Sequence, residues 1–216
     1  SGWARLAPQV LRPTGVIAIK NFYSQISGAR NPEYRKIFVQ ETLGHLQPTV
    51  AGTKVVLDVG AGTGPFRDLS ESVGFVYTAH DFGEYLPSDE SPALQNKDWV
   101  YTELDLRCDL LEIPQSSSAD VVLCTEVLEH VPDPVEALQK LVNLTKPNGS
   151  LIVTVPFLSL MHQAPYWFSA GLSPYWFAHH LRDFEIHDFE IVVHGDYFDF
   201  MRQEINRLFD FPGRIG

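Results

Sequence analysis

The sequence predicts an α/β protein with a Rossmann-like, doubly wound and mostly parallel sheet of six or seven strands and with helices on both faces. The first observation is a buried, β-branched run over residues 54–59 that leads directly into the glycine-rich turn Gly60-Ala61-Gly62-Thr63-Gly64. The second is the alternation, further along the chain, of short apolar runs with segments of helical periodicity.

Two helices are expected before the first strand, in an N-terminal helical cap over residues 1–50. The earlier one is predicted around 15–27. The later one begins at Asn31-Pro32-Glu33, where a capping asparagine, a proline and an early acid favour a helix start. It runs to Pro48, and one helical face is predicted to consist of Tyr34, Ile37, Phe38, His45 and Leu46.

Strands and helices alternate through a core that is predicted to span residues 54–156. After the first strand, further strands are expected at 75–80, 99–104, 120–124, 151–155 and, beyond the core, 190–193. Helices are expected at 65–72, 134–145 and 197–209. Polar connections are expected at 87–96 and 115–118.

The chain changes character after Pro156, because residues 157–200 contain 12 aromatic side chains. This density has two interpretations, which both stay open: a lid or substrate pocket beside a ligand site, or a helix with a large buried aromatic face. Residues 157–216 are assigned to a substrate lid, a sixth strand and a C-terminal helix. The 216 residues are expected to form one domain.

Composition argues against several classes of function. The formal net charge is −11 and no run of Lys or Arg occurs, so binding to nucleic acid or to an anionic membrane is not expected. No apolar run approaches the roughly 20 residues that span a bilayer and no secretory signal is recognised, so a cytoplasmic protein is predicted. Cys108 and Cys124 match no zinc pattern and are expected to be small apolar side chains in a reducing compartment.

The glycine turn and the acid before it indicate the kind of ligand. A dinucleotide fingerprint has the form G-x-G-x-x-G, but here the third glycine comes one residue early and Pro65 stands where that glycine would be. Asp58, at the strand end, would repel a pyrophosphate and attract a cation. This pattern resembles motif I of the class I S-adenosylmethionine-dependent methyltransferases, whose ligand carries a sulfonium and an ammonium. A NAD-dependent oxidoreductase is the disfavoured alternative.

Later segments strengthen the resemblance. Asp81 lies 23 residues after Asp58, near the spacing of about 20 residues at which an acid binds ribose hydroxyls. Cys108-Asp109-Leu110 is similar to the family's adenine-binding acid and its apolar neighbour, with Asp105 as the competing choice. Residues 119–134, with their Leu-Glu-His-Val tract, resemble the strand-four motif of the small-molecule, "type 11"-like branch.

A further match is the turn Lys146-Pro147-Asn148-Gly149 before strand five, which resembles the family's structural Lys-Pro-Gly-Gly turn. Asn148 replaces a glycine there and is expected to tolerate a positive φ. The family's usual antiparallel seventh strand is not evident. The resemblance implies S-adenosylmethionine as cofactor and S-adenosylhomocysteine as product. The implied cofactor-binding residues are Asp58, Gly60, Gly62, Gly64, Asp81, Phe82, Asp109, Leu110, Cys124, Thr125 and Glu126.

The resemblance also implies an acceptor and a mechanism. The tract from Pro156 to Tyr166 is similar to methyltransferases found with glycan-biosynthesis enzymes, so a small or sugar-like acceptor is expected. Methyl transfer is an in-line displacement, in which an oxygen nucleophile usually needs a base. His162 is the preferred candidate because it follows strand five at the carboxyl edge. His130 is the second, with packing as its alternative role.

Two other expectations concern the remaining histidines and the alternative to catalysis. His179 and His180 lie on a predicted helix and are assigned a structural role. No metal is expected, because the histidine spacing matches no H-E-x-x-H pattern. A non-catalytic scaffold of the same fold is the alternative function, and the intact acids Asp58, Asp81 and Asp109 argue against it.

Overall fold

The computed structural model describes residues 17–20, 33–86 and 99–193, together with the helical residues 198, 200–202 and 205. The strands are β1 Ile17–Lys20, β2 Val55–Val59, β3 Val76–Asp81, β4 Leu106–Arg107, β5 Ala119–Thr125, β6 Thr145–Thr154 and β7 Glu190–Ile191. The α-helices bounded within these residues are α1 Glu33–Leu46, α2 Arg67–Ser72, α3 Pro134–Leu144 and α4 Pro174–Asp183. The sheet order is β4-β3-β2-β5-β6-β1-β7, and its pairings are parallel throughout the described residues. The predicted α/β class is confirmed.

Helices cover both faces of the sheet because successive strand side chains point to opposite sides. On one face, Leu57 of β2 belongs to the same buried cluster as Leu138 of α3 and Phe177 of α4. On the other face, Val56 of β2 clusters with Val39 of α1. The sheet is therefore the middle layer of three, and its carboxyl edge stays open between the two helical layers.

Helix α3 shows how local sequence can fix an element. Asp133 caps it, with Oδ1 accepting the backbone N–H groups of Val135 and Glu136, both at 3.0 Å, and Pro134 occupies the first turn. Its buried residues are Ala137, Leu138, Leu141 and Leu144. They recur on one face at helical spacing, so this predicted helix is confirmed.

The turn after α3 is incorporated into strand β6 as an irregularity. The register against β5 shifts between Ala119 and Val121, which accommodates residues 146–149. Asn148 has a φ of +62°, as expected for the residue that replaces a glycine. Lys146 Nζ lies 3.0 Å from Asp120 Oδ2, so the turn is tied to the start of β5.

The region before α1 differs from the prediction. Ile17–Lys20 is a strand, where a helix over 15–27 was expected, and the rest of that helix lies outside the described residues. The strand pairs in parallel with β6, Ile17 with Leu151, and with β7, Ala18 with Glu190. The β-branched residues Ile17 and Ile19 favour a strand, and pairing with both β6 and β7 stabilises it.

The third predicted strand is also wrong. Residues 99–104 contain no strand, and this segment of the chain joins the sheet beside β3 at Leu106 and Arg107. Trp99 and Tyr101 instead pack edge to face, with ring centroids 5.9 Å apart, beside the carboxyl edge of the sheet. Alternating apolar residues can thus face a cleft as well as a sheet neighbour.

The face of α1 differs in phase from the prediction. Val39 and Leu43 are fully buried, whereas Ile37 is 42% exposed and His45 is exposed. The described part of the C-terminal helix prediction, at 198, 200–202 and 205, is helical, and its other residues lie outside the described part, as does the predicted loop at 87–96. Among the described helices, none combines the length and apolar character needed to cross a membrane.

Candidate active site

A cleft of about 390 Å³ opens where β2, β3 and β5 end, at the point where the strand order changes direction. Open α/β sheets bind their ligands at this place. The predicted site residues that line the cleft are Gly60, Gly62, Asp81, Phe82, Asp109, Leu110, Thr125, Glu126 and His130. The predicted site residues that lie outside its lining are Asp58, Gly64, Cys124 and His162.

The glycine turn is held against the end of β3. The N–H groups of Gly60 and Ala61 both donate to the His80 carbonyl, at 2.9 and 2.8 Å. Gly60 and Gly62 have φ values of +74° and +54°, which other residues rarely adopt. A Cβ on Gly62 would also lie 2.8 Å from the Trp99 ring. Glycine is therefore required at position 62 by backbone conformation and by packing alike.

Asp81 joins this turn to the cleft. Its Oδ2 accepts the N–H of Gly62 at 3.0 Å and its Oδ1 accepts the N–H of Gly83 at 2.9 Å. Burial raises the pKa of the carboxyl group, and these hydrogen bonds oppose the shift. A carboxylate offers about four acceptor sites, so this side chain is fixed in orientation and still has sites for ligand hydroxyls.

The structure separates the two candidate adenine-binding acids. Asp109 lines the cleft, and its Oδ1 caps a short 3₁₀ turn by accepting the N–H of Leu111 at 2.8 Å. Asp105 does not line it and instead accepts the N–H of Ala79 at 2.8 Å. Leu110, 6% exposed, lines the cleft beside Asp109. The Asp109–Leu110 pair is thus the one in position to contact a ligand.

Asp58 and Cys124 lie within the sheet and not in the cleft lining. Asp58 is 1% exposed and its Oδ2 accepts a hydrogen bond from the Tyr77 hydroxyl. Burial raises its pKa to about 6. Cys124 is fully buried, which raises the pKa of its thiol. Asp58 is the last residue but one of β2, which ends at Val59 as the predicted strand does.

The end of β5 brings a carboxylate and a cation together. Thr125 and Glu126 line the cleft, and Glu126 has a φ of +57°. Its Oε1 accepts a hydrogen bond from the Thr154 hydroxyl at 2.9 Å. Burial raises the pKa of Glu126, and the charge of Arg35 opposes the shift. Arg35, from α1, also lines the cleft.

The two candidate catalytic histidines are in contact, although 32 residues separate them. The rings of His130 and His162 lie edge to face, with centroids 4.7 Å apart. His130 Nδ1 bonds to the Tyr166 carbonyl, and His162 Nδ1 bonds to the Leu160 carbonyl. Burial, then the neighbouring His162, lowers the pKa of His130 to about 3. Of the two, His130 lines the cleft and His162 does not.

A buried carboxylate adjoins this pair. Glu129 is 0% exposed, and neither carboxylate oxygen has a hydrogen-bond partner among the described residues. Its Oε1 lies 3.8 Å from His130 Nε2. The donor atoms of Glu129, His130 and His162 all lie within 4.8 Å of one another. No spacing motif links these three positions, so the cluster was not foreseen.

Aromatic rings form one wall of the cleft. Phe82 and Tyr166 meet edge to face at 4.8 Å, and Tyr85 and Trp99 at 5.7 Å. The two interpretations of the aromatic-rich segment apply to different parts of it. Tyr166 and Phe168 line the cleft, whereas Phe177 is fully buried in the core.

Arg35 and Trp99 were missed by the sequence reasoning. Arg35 lies in the first turn of α1, and no sequence signal places that helix over the carboxyl edge of the sheet. Trp99 carried a signal that was misinterpreted, since an aromatic residue in an apolar alternation was assigned to a strand. Gln163 also lines the cleft, and its position after β6 was considered only for its neighbour His162.

The parallel sheet, the glycine turn at its carboxyl edge and the acid after the neighbouring strand define a Rossmann-like ligand-binding domain. The chain belongs to the methyltransferase-domain family, because the family model described as "Methyltransferase domain" matches residues 29–194. The class predicted from the sequence, a class I S-adenosylmethionine-dependent methyltransferase, is confirmed.

Individual relatives agree with this assignment. The chain is 36% identical over 131 residues to the ubiquinone biosynthesis O-methyltransferase of Albidiferax ferrireducens, covering 59% of this chain and 48% of the relative. It is 29% identical over 181 residues to the protein of the same name from Xanthomonas axonopodis pv. citri, covering 77% and 71%. The chain spans about half the length of several curated relatives that it matches.

The chain also shows similarity to solved structures. The N-methyltransferase NodS from Bradyrhizobium japonicum WM9, in complex with S-adenosyl-L-homocysteine, aligns with a TM-score of 0.38 at 20% sequence identity. The alignment covers 59% of this chain and 62% of that one.

Proposed function

We propose that this protein transfers a methyl group from S-adenosylmethionine to an oxygen or nitrogen atom of a small acceptor. The observation that carries the proposal is the placement of Asp81 and Asp109 in one cleft beside the glycine turn. Acidic acceptors at both positions match a ligand with ribose hydroxyls and an exocyclic amine. The O-methyltransferase names of the curated relatives favour oxygen as the acceptor atom.

The residues of the cleft suit the parts of that cofactor. Asp81 would accept hydrogen bonds from the ribose hydroxyls. Asp109 and Leu110 would meet the adenine ring, while Gly60 and Gly62 allow close approach of the backbone. Bound there, S-adenosylmethionine supplies a methyl group that its sulfonium already activates.

Arg35 is the group that we assign to the cofactor's carboxylate. It is a cation in a cleft whose other charged lining groups, Asp81, Glu84, Asp109 and Glu126, are acidic. Charge-assisted hydrogen bonds to carboxylates are among the strong ones. Asp58 acts from inside the sheet, through its charge and its bond to Tyr77, and does not touch the ligand.

The acceptor is proposed to occupy the aromatic side of the cleft, between Tyr166 and His130. Aromatic rings can stack on a sugar face or enclose a planar apolar group, which supports a sugar-like or phenolic acceptor. His130 and His162 are the candidates for labilising the acceptor's proton. Within a single domain, we assign residues 157–216 to a substrate lid, a further strand and a C-terminal helix, and we assign a cytoplasmic location to the protein.

The proposal is tested by calorimetric titration of the full chain with S-adenosylmethionine, S-adenosylhomocysteine and NAD in parallel. We expect micromolar binding of both adenosyl compounds and none of NAD. Acceptors would then be screened with methyl-labelled cofactor, beginning with sugar nucleotides and phenols. Binding of neither adenosyl compound would contradict the proposal and favour a scaffold, and binding of NAD alone would favour an oxidoreductase.

A further inference from the structure

The cluster of Glu129, His130 and His162 has the composition of a metal site. The short 3₁₀ turn Leu128–His130, which follows β5, supplies the first two side chains, and the loop after β6 supplies the third. Their donor atoms all lie within 4.8 Å of one another. Two imidazoles and one carboxylate form a common three-residue ligand set of catalytic metal centres.

The orientation of both imidazole rings fits metal ligation. Each ring bonds through Nδ1 to a backbone carbonyl, that of Tyr166 for His130 and that of Leu160 for His162. Since a carbonyl only accepts, both Nδ1 atoms carry the proton, and Nε2 is the unprotonated nitrogen in each neutral ring. Metal-binding histidines almost always fix their second nitrogen in this way.

Glu129 provides an independent observation. Its side chain is 0% exposed and neither of its oxygens has a hydrogen-bond partner among the described residues. A buried carboxylate without a partner is costly for the folded protein. Its Oε1 lies 3.8 Å from His130 Nε2, so the carboxylate points toward the donor atoms of the two histidines. A cation bound there would balance its negative charge.

We propose that Glu129, His130 and His162 bind one divalent transition-metal ion, of the class of Zn²⁺ or Fe²⁺. Nitrogen-rich donor sets favour these ions over Mg²⁺ and Ca²⁺, which prefer oxygen ligands. Zinc lies about 2.0–2.2 Å from such donors, so neighbouring donor atoms in a tetrahedron are about 3.4 Å apart. The three side chains must therefore move together by about 1.5 Å at most.

The position of the site gives the ion a role, which rests on the function proposed above. His130 lines the cleft and His162 does not, so an open position on a bound ion would be reached from the acceptor side. An acceptor hydroxyl held there would lose its proton to solvent more readily. The acceptor oxygen then forms its bond to the methyl carbon while the bond from that carbon to sulfur breaks, and S-adenosylhomocysteine leaves.

The chain also contains a matched control. His179, His180 and Asp183 form a second group of potential ligands on α4. His179 and Asp183 are largely exposed, with 68% and 54% side-chain exposure, and already pair at 3.2 Å. This group has no buried carboxylate without a partner, so we assign it no ion.

The test uses the full chain, without any polyhistidine tag and after dialysis against a chelator. Zn²⁺ is titrated by calorimetry, and Co²⁺ by its visible absorption. We expect one equivalent to bind to the wild type, Glu129→Gln and His162→Ala each to weaken binding by at least about tenfold, and His179→Ala to leave it unchanged. Circular dichroism verifies that each variant is folded.

Absence of stoichiometric binding to the wild type would overturn the inference, and so would binding that His179→Ala abolishes but Glu129→Gln does not affect. Neither readout requires the cofactor, so the two proposals fail separately. Adenosyl binding without metal binding would refute the metal site alone, and metal binding without adenosyl binding would refute the proposed reaction alone.

Discussion

The hydroxyl of Tyr77 donates a hydrogen bond of 2.5 Å to Oδ2 of Asp58, between neighbouring strands on one face of the sheet. The other oxygen of Asp58 is buried and has no hydrogen-bond partner among the described residues. Burial consequently raises the pKa of Asp58 to about 6. The acid that the motif placed at the ligand is a core residue whose ionisation opposes folding.

Replacing Asp58 by Asn should make stability less dependent on pH. The pKa of about 6 in the folded protein lies above the ordinary value of 3.8. The stabilisation that the protonated group gives to the fold is therefore fully present below pH 3.8 and is lost as pH rises through 6. The free energy of unfolding of Asp58→Asn, relative to that of the wild type, should therefore be higher at pH 8 than at pH 4 by on the order of 3 kcal/mol. Urea unfolding at both pH values measures this gain. If the variant and the wild type differ in stability by the same amount at both pH values, the prediction is wrong.

His80 should make the folded protein less stable in acid, which is the opposite of the pH dependence that Asp58 gives. Burial lowers its pKa from 6.5 to about 4, and its Nε2 donates to the Cys108 carbonyl at 3.0 Å. The unfolded chain therefore binds the proton more tightly, and stability falls as pH drops from about 6.5 to 4, by about 3 kcal/mol at most. His80→Gln should be less stable at pH 7.5 but should show a shallower loss in acid. The exposed His45→Gln variant, as control, should keep the wild-type slope.

Asp81 should matter for the cofactor more than for the fold. Asp81→Asn removes the charge and converts one acceptor into a donor, so we expect S-adenosylmethionine binding to weaken by about 1–3 kcal/mol, the scale of charged hydrogen bonds. Calorimetric titration gives the affinity. Asp68→Asn, an exposed acid of α2, serves as the control of equal charge change. Wild-type affinity in Asp81→Asn would exclude Asp81 from the site.

Two glycine substitutions should have opposite effects on stability. At Gly62, alanine must adopt a φ of +54° and meets the Trp99 ring, so we expect a loss of more than about 1 kcal/mol together with weaker cofactor binding. At Gly44, within α1, a Cβ meets no atom within 4 Å, and alanine should add about 0.5–1 kcal/mol through helix propensity. Thermal unfolding measures the melting temperature of both variants, and equal shifts in melting temperature would contradict the packing argument.

Features encoded locally could be predicted from the sequence. The strand before the glycine turn, the capped helix α3 and the positive φ of Asn148 depend on residues that are adjacent in the chain. Asp81 could be placed because it follows a strand of the alternating pattern at the carboxyl edge of the sheet. Asp109 was preferred to Asp105 only through the resemblance to the methyltransferase family.

Features that depend on distant partners could not be predicted. Strand β1 exists because β6 and β7 flank it, and its own four residues do not reveal that pairing. The contact of His130 with His162 and the entry of Arg35 into the cleft depend on how a loop and a helix pack. Asp58 lies outside the cleft lining because its carboxylate is buried against Tyr77 of the neighbouring strand, a contact that the motif alone does not reveal.

The position of β1 has a consequence for the order of folding. Ile17 pairs with Leu151, 134 residues further along the chain, so a ribosome must release nearly the whole domain before this early segment can find its place. Until then, β5 presents an open edge beside a finished glycine turn, and such an edge invites pairing between chains. During synthesis, the ligand-binding corner can therefore form first, and the opposite edge of the sheet is completed last.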